Sequence, residues 1–453
     1  MTAAAPADTP PPILRDPVPG IGRFALHVVY DLALWFGVLV AAPWWIVRVI
    51  ADPVFRRMVT ERLGFGLPAA PPERRDRRVV VHGVSVGEVK AASSIVARLR
   101  AERPDLEVVI STTTATGAEV ARRTYPDLQV VRFPFDFAFV VRRFLRRVAP
   151  AAVVLIELEV WPNFLRAANR SGVPIAVANG RITERSFPRY LRFRKLMPQF
   201  QRISLFCVQD EVYARRFEEL SGGSDRILVT GNVKADSLHL GRLPVQEELT
   251  RHLGGVPGQP VFVVGSTHEP EERLVTEAWR AHAPHCRLIL VPRHPERVAA
   301  ICRELSELGA SAQRLTFLRE GIERADPQRP AIVDTIGELE NVYSLADLVF
   351  VGGSLVPLGG HNMLEPAAQG LPVFYGPHTE NFPHEAALLE RTGASRRLAD
   401  SADFGPTLAE LLADDAARER MARAGLDAVR TQQGATARTV RALQERCLPV
   451  MGS

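Results

Sequence analysis

The sequence predicts an α/β protein of two doubly wound domains, each a parallel sheet with helices on both faces. Short apolar runs alternate with helical patterns along most of the chain, which is typical of parallel sheets. The chain has 453 residues, more than one compact core usually holds. The alternation stops once, over residues 236–258, where glycines and prolines gather. We therefore expect two domains facing a central cleft, with ligands at the carboxyl ends of both sheets.

The apolar runs give the expected strands. In the first domain we predict strands at 79–82, 106–112, 130–134, 152–156, 174–178, 205–208 and 227–230. In the second domain we predict strands at 261–265, 287–291, 312–315, 331–333, 348–351 and 373–375, with closing helices over 401–447. The first domain is placed at residues 51–240 and the second at 241–453.

The N-terminal region predicts a membrane anchor. Residues 1–22, rich in alanine and proline, are expected to form a disordered tail. Residues 23–50 are expected to form the anchor helix, since 32–47 carry no charge and about 20 residues cross a bilayer. Arginines after this helix outnumber those before it, which places the bulk of the protein in the cytoplasm. His27 and Asp31 weaken a full span, so an interfacial helix is the alternative.

Composition and charge indicate which classes of partner the protein binds. The net charge is +5, and the arginines cluster, most densely over residues 179–195, where aromatic side chains are interleaved. This pattern favours phosphate or lipid headgroups on an anionic membrane surface, with a solvated helix face as the alternative. We recognise no nucleic-acid motif and no metal-ligand spacing. The four cysteines are scattered, as expected of reduced thiols in a cytosolic setting.

Residues 348–377 are read as strand, glycine-rich loop, helix and strand. Gly359 and Gly360 permit close backbone approach to a ligand. Asn362 is a good N-cap, and Glu365 follows three residues later, so a helix is expected over 363–369. A glycine loop before a helix predicts an anion site, and an ordinary connection without a ligand is the alternative.

Further turns after strands carry polar groups. Glu88 opens a helix at a strand's carboxyl end and could act as a general base, or could only stabilise the helix dipole. Glu157 and Glu159 leave a buried strand, and we expect one of them to pair with Arg181 or Arg185 while the other serves the acceptor site. Lys234 follows another strand, where a cation could face a phosphate or carboxylate.

The second domain repeats this theme. Arg293 and His294 follow one strand, and Gly337 and Glu338 follow another. Arginine suits bidentate contacts to phosphate or carboxylate. The convergence of such turns on one cleft indicates an enzyme more strongly than any single motif does.

Taken in order, these motifs resemble the Kdo transferases of lipopolysaccharide synthesis, where Kdo is 3-deoxy-D-manno-oct-2-ulosonic acid. They read HGVSVGE, ELEVWPN, NGRITERS, GNVKAD, STHEPEE, LVPRHPER, DTIGEL and FVGGSLVPLGGHNMLEPA. The resemblance implies the GT-B glycosyltransferase architecture, with two Rossmann-like domains. It also implies inverting transfer of Kdo from CMP-Kdo to the lipid A precursor, without metal or cofactor, at the cytoplasmic side of the bacterial inner membrane.

The resemblance also implies residue roles. Glu88 corresponds to the general base, and Glu157 and Lys234 correspond to groups that support the transition state. Residues matching the CMP contacts are Pro292, Arg293, Ile336, Gly337, Glu338, Asn362, Met363, Leu364 and Glu365. Gly83, Leu158 and Asn232 depart from the residues common in the family, and Leu158 could alter acceptor fit.

Two alternative functions remain at this point. One is a GT-B enzyme that uses another sugar nucleotide, including a sugar-nucleotide epimerase of the same architecture. The other is a non-catalytic, membrane-anchored lipopolysaccharide-binding protein, which would leave the convergent polar turns without a role.

Overall fold

The computed structural model describes residues 21–194 and 199–449, with side chains described from residue 27 onward. The chain divides into two compact units. Unit 1 comprises Met1–Ser237 and Gln433–Ser453, and unit 2 comprises Leu238–Gln432.

Unit 1 is built on a seven-stranded parallel sheet. Its strands are β1 (Arg78–His82), β2 (Glu107–Thr112), β3 (Gln129–Arg132), β4 (Pro150–Ile156), β5 (Ile175–Gly180), β6 (Leu205–Val208) and β7 (Ile227–Val229). Its helices up to β7 are α1 (Ile21–Ala51), α2 (Pro53–Arg62), α3 (Val86–Glu102), α4 (Ala115–Thr124), α5 (Ala138–Val148), α6 (Pro162–Arg170), α7 (Phe187–Phe193) and α8 (Glu211–Ser221). The strand order is β3-β2-β1-β4-β5-β6-β7, so all seven predicted strands are found and the order reverses between β1 and β4.

Unit 2 has a second seven-stranded parallel sheet. Its strands are β8 (Val261–Thr267), β9 (Arg287–Pro292), β10 (Gln313–Arg314), β11 (Ala331–Ile332), β12 (Leu348–Val351), β13 (Val373–Tyr375) and β14 (Ser395–Arg397). Its helices are α9 (Glu247–Leu253), α10 (Glu271–His282), α11 (Val298–Glu307), α12 (Leu315–Arg319), α13 (Leu339–Tyr343), α14 (Leu364–Ala368), α15 (Pro383–Arg391), α16 (Phe404–Ala413) and α17 (Asp415–Gln432). The order is β10-β11-β9-β8-β12-β13-β14, which reverses between β8 and β12.

Two elements of unit 2 were not predicted. The edge strand β14 reads Ser-Arg-Arg and is half exposed, so it lacks the apolar run that identifies a buried strand. Helix α9 lies inside residues 236–258, where the predicted alternation of strands and helices stops, and it buries only Leu249 and Leu253. Both escape detection because they are short and mostly polar.

The end of the chain departs from the predicted domain limits. The change of unit falls at Ser237 rather than after residue 240, and the last helix, α18 (Ala435–Arg446), belongs to unit 1. Val440 and Leu443 of α18 join the core formed by β1, β2 and α3. The carboxylate of Asp236 accepts hydrogen bonds from the backbone N–H of Gly434 (2.6 Å) and Thr436 (2.5 Å). An amphipathic helix can be read from sequence, but the core that it covers cannot.

Both sheets are buried on both faces. Every residue of β1 is buried, and its side chains alternate between two cores, one under α3 and α18 and the other under α5 and α6. In unit 2, β8 and β12 separate two further cores in the same way. The continuous apolar character of the strands follows from this double burial.

The predicted anchor helix of residues 23–50 is observed as α1. By length and composition, His27–Ala51 could cross a membrane, with a mean hydropathy of 1.8. Of the predicted tail, residues 1–20 lie outside the described residues, and Ile21 and Gly22 begin the helix instead. Asp52 ends α1 and caps α2, because its carboxylate accepts from the N–H of Val54 and Phe55.

Candidate active site

The first group of candidate residues lies at the carboxyl edge of the unit 1 sheet. Glu88 follows β1, Glu157 and Glu159 follow β4, and Lys234 follows β7. β1 and β4 are the neighbours at which the strand order reverses. Ligands of open α/β sheets bind at such a switch point, because the loops diverge there and leave a crevice.

Glu88 takes part in capping α3. Ser85 is the N-cap and its Oγ accepts from the Glu88 N–H, while the Glu88 carboxylate accepts from the Val84 N–H (2.8 Å) and the Ser85 hydroxyl (2.8 Å). The helix-stabilising role that we gave as the alternative is therefore present. The side chain is only partly buried, and its role as a base stays a prediction.

Glu157 bridges two cations. One carboxylate oxygen accepts from Arg181 at 2.8 Å, and the other lies 3.5 Å from the Lys234 ammonium. The expected pairing with Arg181 is confirmed. Glu157 itself has φ +64°, a backbone conformation that costs a non-glycine residue about 1–3 kcal/mol. Strain at the end of β4 thus accompanies a charged triad that joins β4, β5 and the turn after β7.

Asn179 supports this triad from β5. It also has a positive φ, +57°, and is fully buried. Its Oδ1 accepts from the Val233 N–H at 3.1 Å, which ties β5 to the turn carrying Lys234. Its Nδ2 has no hydrogen-bond partner in the described part of the chain. The motif NGRITERS begins at Asn179, but the sequence assigned no role to this amide, because burial cannot be read from sequence.

Glu159 is the acid whose chemistry the sequence did not resolve. Burial raises its pKa to about 7, and the charge of Glu88 contributes in the same direction, while a 2.7 Å hydrogen bond from Trp161 Nε1 opposes them. Glu157 and Glu159 therefore contact different neighbours. Glu88 forms no hydrogen bond or ion pair with Glu157 or Lys234 in the described residues. It is electrostatically coupled to Glu159 instead.

The second group lies at the carboxyl edge of the unit 2 sheet. Pro292 ends β9, and the Arg293 guanidinium is exposed without a hydrogen-bond or ion-pair partner in the residues described. Nearby, the Nε2 atoms of His268 and His361 lie 2.9 Å apart, so one donates and the other accepts. Burial lowers the pKa of His361 to about 4 and also lowers that of His268. The histidine pair is therefore neutral at physiological pH, and Arg293 supplies the positive charge.

The turn after β11 presents an apolar platform. Ile336 is 89% exposed, which is unusual for so large an apolar side chain, and Gly337 next to it has φ +89°. Glu338 accepts a hydrogen bond from Arg319 at 2.9 Å. An isoleucine held in solvent beside an ion pair is suited to packing on a flat ligand such as a nucleotide base.

The glycine-rich loop after β12 differs from the prediction in its first half. The carboxylate of Glu271 accepts from the N–H groups of Gly353, Ser354 and Leu355 at 2.7–3.0 Å, so these donors already have an anion. The N–H of Gly360 is taken by the Gly353 carbonyl. Gly360 therefore offers no free N–H group to a ligand, and the close backbone approach predicted for Gly359 and Gly360 stays a prediction.

The second half of the loop retains open donors. The N–H groups of Gly359, His361, Asn362 and Met363 have no hydrogen-bond partner within the described ranges. The observed helix is shorter than the predicted 363–369 and spans Leu364–Ala368, and its N-cap is Met363 rather than the predicted Asn362. Asn362 Oδ1 accepts from the Leu364 N–H at 3.1 Å, and Asn362 Nδ2 donates to the Glu365 carboxylate, so the two side chains bind each other instead of forming a capping box.

The basic segment after β5 is partly described. Arg181 pairs with Glu157, and Arg189 lies 5.8 Å from the ring of Tyr190 on α7. Lys195 lies outside the described residues. Among the residues described, no group of three or more histidine, cysteine, aspartate or glutamate side chains is arranged to hold a metal ion.

Known proteins resemble this chain in sequence. A family profile described as 3-deoxy-D-manno-octulosonic-acid transferase (kdotransferase) matches residues 57–237. The 3-deoxy-D-manno-octulosonic acid transferase of Haemophilus influenzae is 32% identical over 86% of this chain and 91% of its own length. The enzyme of the same name from Bordetella pertussis is 35% identical over 81% of this chain and 87% of its own length.

Solved structures of lower identity support the architecture. MurG of Acinetobacter baumannii matches 82% of this chain and 99% of its own, with 13% identity and a TM-score of 0.52. The UDP-GlcNAc 2-epimerase of Neisseria meningitidis, bound to UDP-GlcNAc, matches 81% of this chain and 99% of its own, with 13% identity and a TM-score of 0.56. These likenesses concern the fold alone, and they confirm the predicted GT-B class with two Rossmann-like domains.

Proposed function

Because the chain belongs to the 3-deoxy-D-manno-octulosonic acid (Kdo) transferase family, and is therefore a glycosyltransferase of lipopolysaccharide biosynthesis, we propose its donor, acceptor and mechanism. The donor is CMP-Kdo and the acceptor is the lipid A precursor. Transfer inverts the anomeric centre and needs neither metal nor cofactor. The supporting observation is that the residues matching the family's base and CMP contacts lie at the two sheet edges where strand order reverses.

In the proposed reaction, Glu88 removes the proton from a primary hydroxyl of the acceptor glucosamine. The oxygen attacks the ketosidic carbon of Kdo, and the bond from that carbon to the phosphate oxygen breaks as CMP leaves with the electron pair. Glu159 supports this assignment because its pKa near 7 allows it to keep a proton beside Glu88. A carboxylate in hydrogen-bond reach of a hydroxyl is a competent general base.

The charged triad around Glu157 serves the same step. Lys234 stands half exposed beside Glu157, which orients its ammonium without neutralising it completely. We assign Lys234 to stabilise negative charge that develops near the reacting carbon, and Glu157 to position it.

Unit 2 holds the donor in this proposal. Arg293 is exposed and unpaired within the described ranges, so its guanidinium can bind the CMP phosphate or the Kdo carboxylate in a bidentate manner. The N–H groups of Asn362 and Met363 add donors, and Ile336 provides an apolar surface for the cytosine or ribose. These are the residues matched to the family's CMP contacts.

The acceptor is a lipid, so the enzyme is proposed to work at the inner membrane with both units on the cytoplasmic side. The apolar helix α1 and the arginines that follow it support this location. An anionic membrane surface is then the partner of this region.

A donor screen tests the proposal. Purified enzyme is incubated with CMP-Kdo, CMP-sialic acid or UDP-GlcNAc, each with and without lipid A precursor, and both nucleotide release and conversion of the sugar nucleotide to an epimer are measured. We expect CMP release from CMP-Kdo only when the lipid is present. Turnover of UDP-GlcNAc without a lipid would identify an epimerase, and no release from any donor would identify a binding protein.

A further inference from the structure

Helix α1 turns one face to unit 1 along its length. Its less exposed residues are His27, Tyr30, Asp31, Leu34, Val38, Ala41, Ala42, Trp45 and Val49, which recur every three or four positions. Such spacing defines one side of a helix. His27 is buried and the others are partly buried, so the helix turns this side toward unit 1 from its first described side chain to its last turn.

Specific contacts fix this face at both ends. The Tyr30 hydroxyl donates to Asp136 Oδ2 at 3.0 Å, and Asn163 Nδ2 donates to Asp31 Oδ1 at 2.6 Å. Fifteen residues further on, the ring of Trp45 lies 5.5 Å from that of Phe135. The polar side chains on this face of α1 thus form their contacts with the globular part of unit 1.

The opposite face is apolar. Leu32, Leu39 and Ile50 are 62%, 71% and 72% exposed, and their spacing of seven and eleven residues puts them on one line along the helix. Other exposed large apolar residues of α1 are Val28, Val29, Trp35, Phe36, Val40, Trp44, Ile46 and Val47. Trp35 extends the surface beyond α1, because its ring stacks on that of Phe139 of α5.

These contacts are incompatible with a transmembrane orientation. Tyr30 and Trp45 are separated by about 22 Å along the helix axis, most of the roughly 30 Å of a bilayer core. If α1 crossed the bilayer, the polar surface around Asp136 and Asn163 would have to follow it into hydrocarbon or lose both contacts. Polar groups in lipid must be satisfied internally, and loops of a soluble α/β unit cannot meet that requirement.

We propose that α1 lies in the plane of an anionic bilayer surface, with its Leu32–Leu39–Ile50 line in the lipid and both helix ends on the side of the catalytic units. Exposed Arg56 and Arg57 of α2, just beyond its end, suit acidic headgroups. This rests on the proposed membrane association but not on the proposed reaction.

The arrangement links the membrane to the acceptor site. Asp136 accepts from the N–H groups of Asn163 and Phe164 at the start of α6, at 2.9 and 2.7 Å, as well as from Tyr30. The segment that carries Glu157 and Glu159 ends at this point. The in-plane helix therefore holds the acceptor loop at the lipid surface, where a lipid hydroxyl is available.

Cysteine labelling of the full chain in native membranes tests the orientation. Ala4→Cys and, as the matched reporter on unit 1, Ser224→Cys are each placed in a Cys302→Ser background, since the other three cysteines are buried. A membrane-impermeant maleimide is applied to spheroplasts and to inverted inner-membrane vesicles, with detergent-solubilised samples as the reactivity reference. We expect both reporters to be labelled in inverted vesicles and protected in spheroplasts.

The other outcomes overturn the inference in distinguishable ways. Labelling of Ala4→Cys in spheroplasts while Ser224→Cys stays protected would show that α1 crosses the membrane, with the membrane location intact. Recovery of the wild-type protein in the soluble fraction would contradict the membrane association itself. Neither outcome would affect the donor screen.

A depth measurement gives an independent readout. A fluorophore attached to Leu32→Cys, Leu39→Cys or Ile50→Cys is quenched by lipids brominated at defined depths. An in-plane helix predicts equal depths at the three positions. A span predicts depths that differ by about 10 and 16 Å along the axis, which would contradict the proposal.

Discussion

Glu88 carries one observed and one proposed role at the scale of a single residue. Its carboxylate completes the cap of α3 through Val84 and Ser85, and the proposed reaction uses the same group as a base at the β1–β4 switch point. The sequence identified this residue and both readings of it. It could not choose between them, because a capping glutamate and a catalytic one occupy the same position in a first helical turn.

Replacement of Glu88 by glutamine separates these roles. Glutamine keeps one acceptor oxygen for the cap but cannot take the acceptor's proton, so we expect kcat to fall about 100- to 10,000-fold. CMP binding should be unchanged. The matched control is Glu119→Gln on α4, an exposed glutamate paired only with Arg123, which should keep wild-type kcat. Normal turnover by Glu88→Gln would refute the assignment.

Arg293 illustrates what the sequence can supply about a binding residue. Its position after a predicted strand indicated a sheet edge, and the structure adds that its guanidinium is unpaired among the described residues. We expect Arg293→Ala to weaken CMP binding about 10- to 100-fold, measured by calorimetry, since charge-assisted contacts of about 1.5–3 kcal/mol are lost. Arg303→Ala, an exposed arginine of α11, is the control. Equal affinities for the two variants would place the phosphate elsewhere.

Glu159 was read as an acid near the site, but its proton affinity depends on burial that only the fold creates. Its pKa rises from an ordinary 4.5 to about 7. The folded state therefore holds a proton that the unfolded state releases between these values, and stability declines as pH rises through this window.

Glu159→Gln should remove that decline. We expect wild type to lose more thermal stability than Glu159→Gln between pH 5 and pH 8, so the variant gains relative to wild type as pH rises. Melting temperatures at both pH values measure the difference. Parallel pH dependences of the two proteins would show that Glu159 titrates at its ordinary pKa.

At the scale of elements, the glycine-rich loop after β12 gave a partly wrong prediction. The loop was predicted to bind an anionic ligand through its N–H groups. The N–H groups of Gly353, Ser354 and Leu355 instead donate to Glu271, which lies 82 residues before Gly353 at the start of α10. The local sequence predicted an anionic ligand for this loop. It could not indicate that a protein carboxylate binds three of the N–H groups, because that contact depends on the packing of β8 against β12.

Glu271→Gln tests this internal anion. The glutamine amide would direct a donor at backbone N–H groups, so we expect unit 2 to lose about 3 kcal/mol of unfolding free energy, measured by urea denaturation. Glu277→Gln on the same helix α10 is the control, since Glu277 is an exposed partner of Arg273 and should change stability by less than about 0.5 kcal/mol. A stable Glu271→Gln protein would mean that the loop does not need the carboxylate.

Helix α1 shows the same limit. Its apolar run and its polar residues His27 and Asp31 were both visible in the sequence. They left two alternatives, a transmembrane helix and an interfacial helix. The partners of these polar residues are more than 100 positions away along the chain, because Arg202 contacts His27 and Asn163 donates to Asp31. Only their proximity shows that the polar face docks on unit 1.

At the scale of the whole molecule, the two doubly wound sheets were largely predictable. Buried parallel strands have continuous apolar runs, so 13 of the 14 described strands were expected close to their observed positions. The edge strand β14 and the return of α18 to unit 1 were not. Both depend on long-range packing. For α18, the Asp236 carboxylate accepts from the Gly434 N–H at the start of the helix, and the helix covers a core formed by residues far earlier in the chain.

Function also depends on the whole molecule, since the proposed reaction uses Glu88 of unit 1 and Arg293 of unit 2 in one transfer. The most direct measurement is the product mass after the full-length enzyme is incubated with CMP-Kdo and lipid A precursor in the presence of EDTA. The account predicts a lipid heavier by one or more Kdo residues, with one CMP released per residue added. An unchanged lipid mass, or a product formed only when a divalent metal is restored, would contradict it.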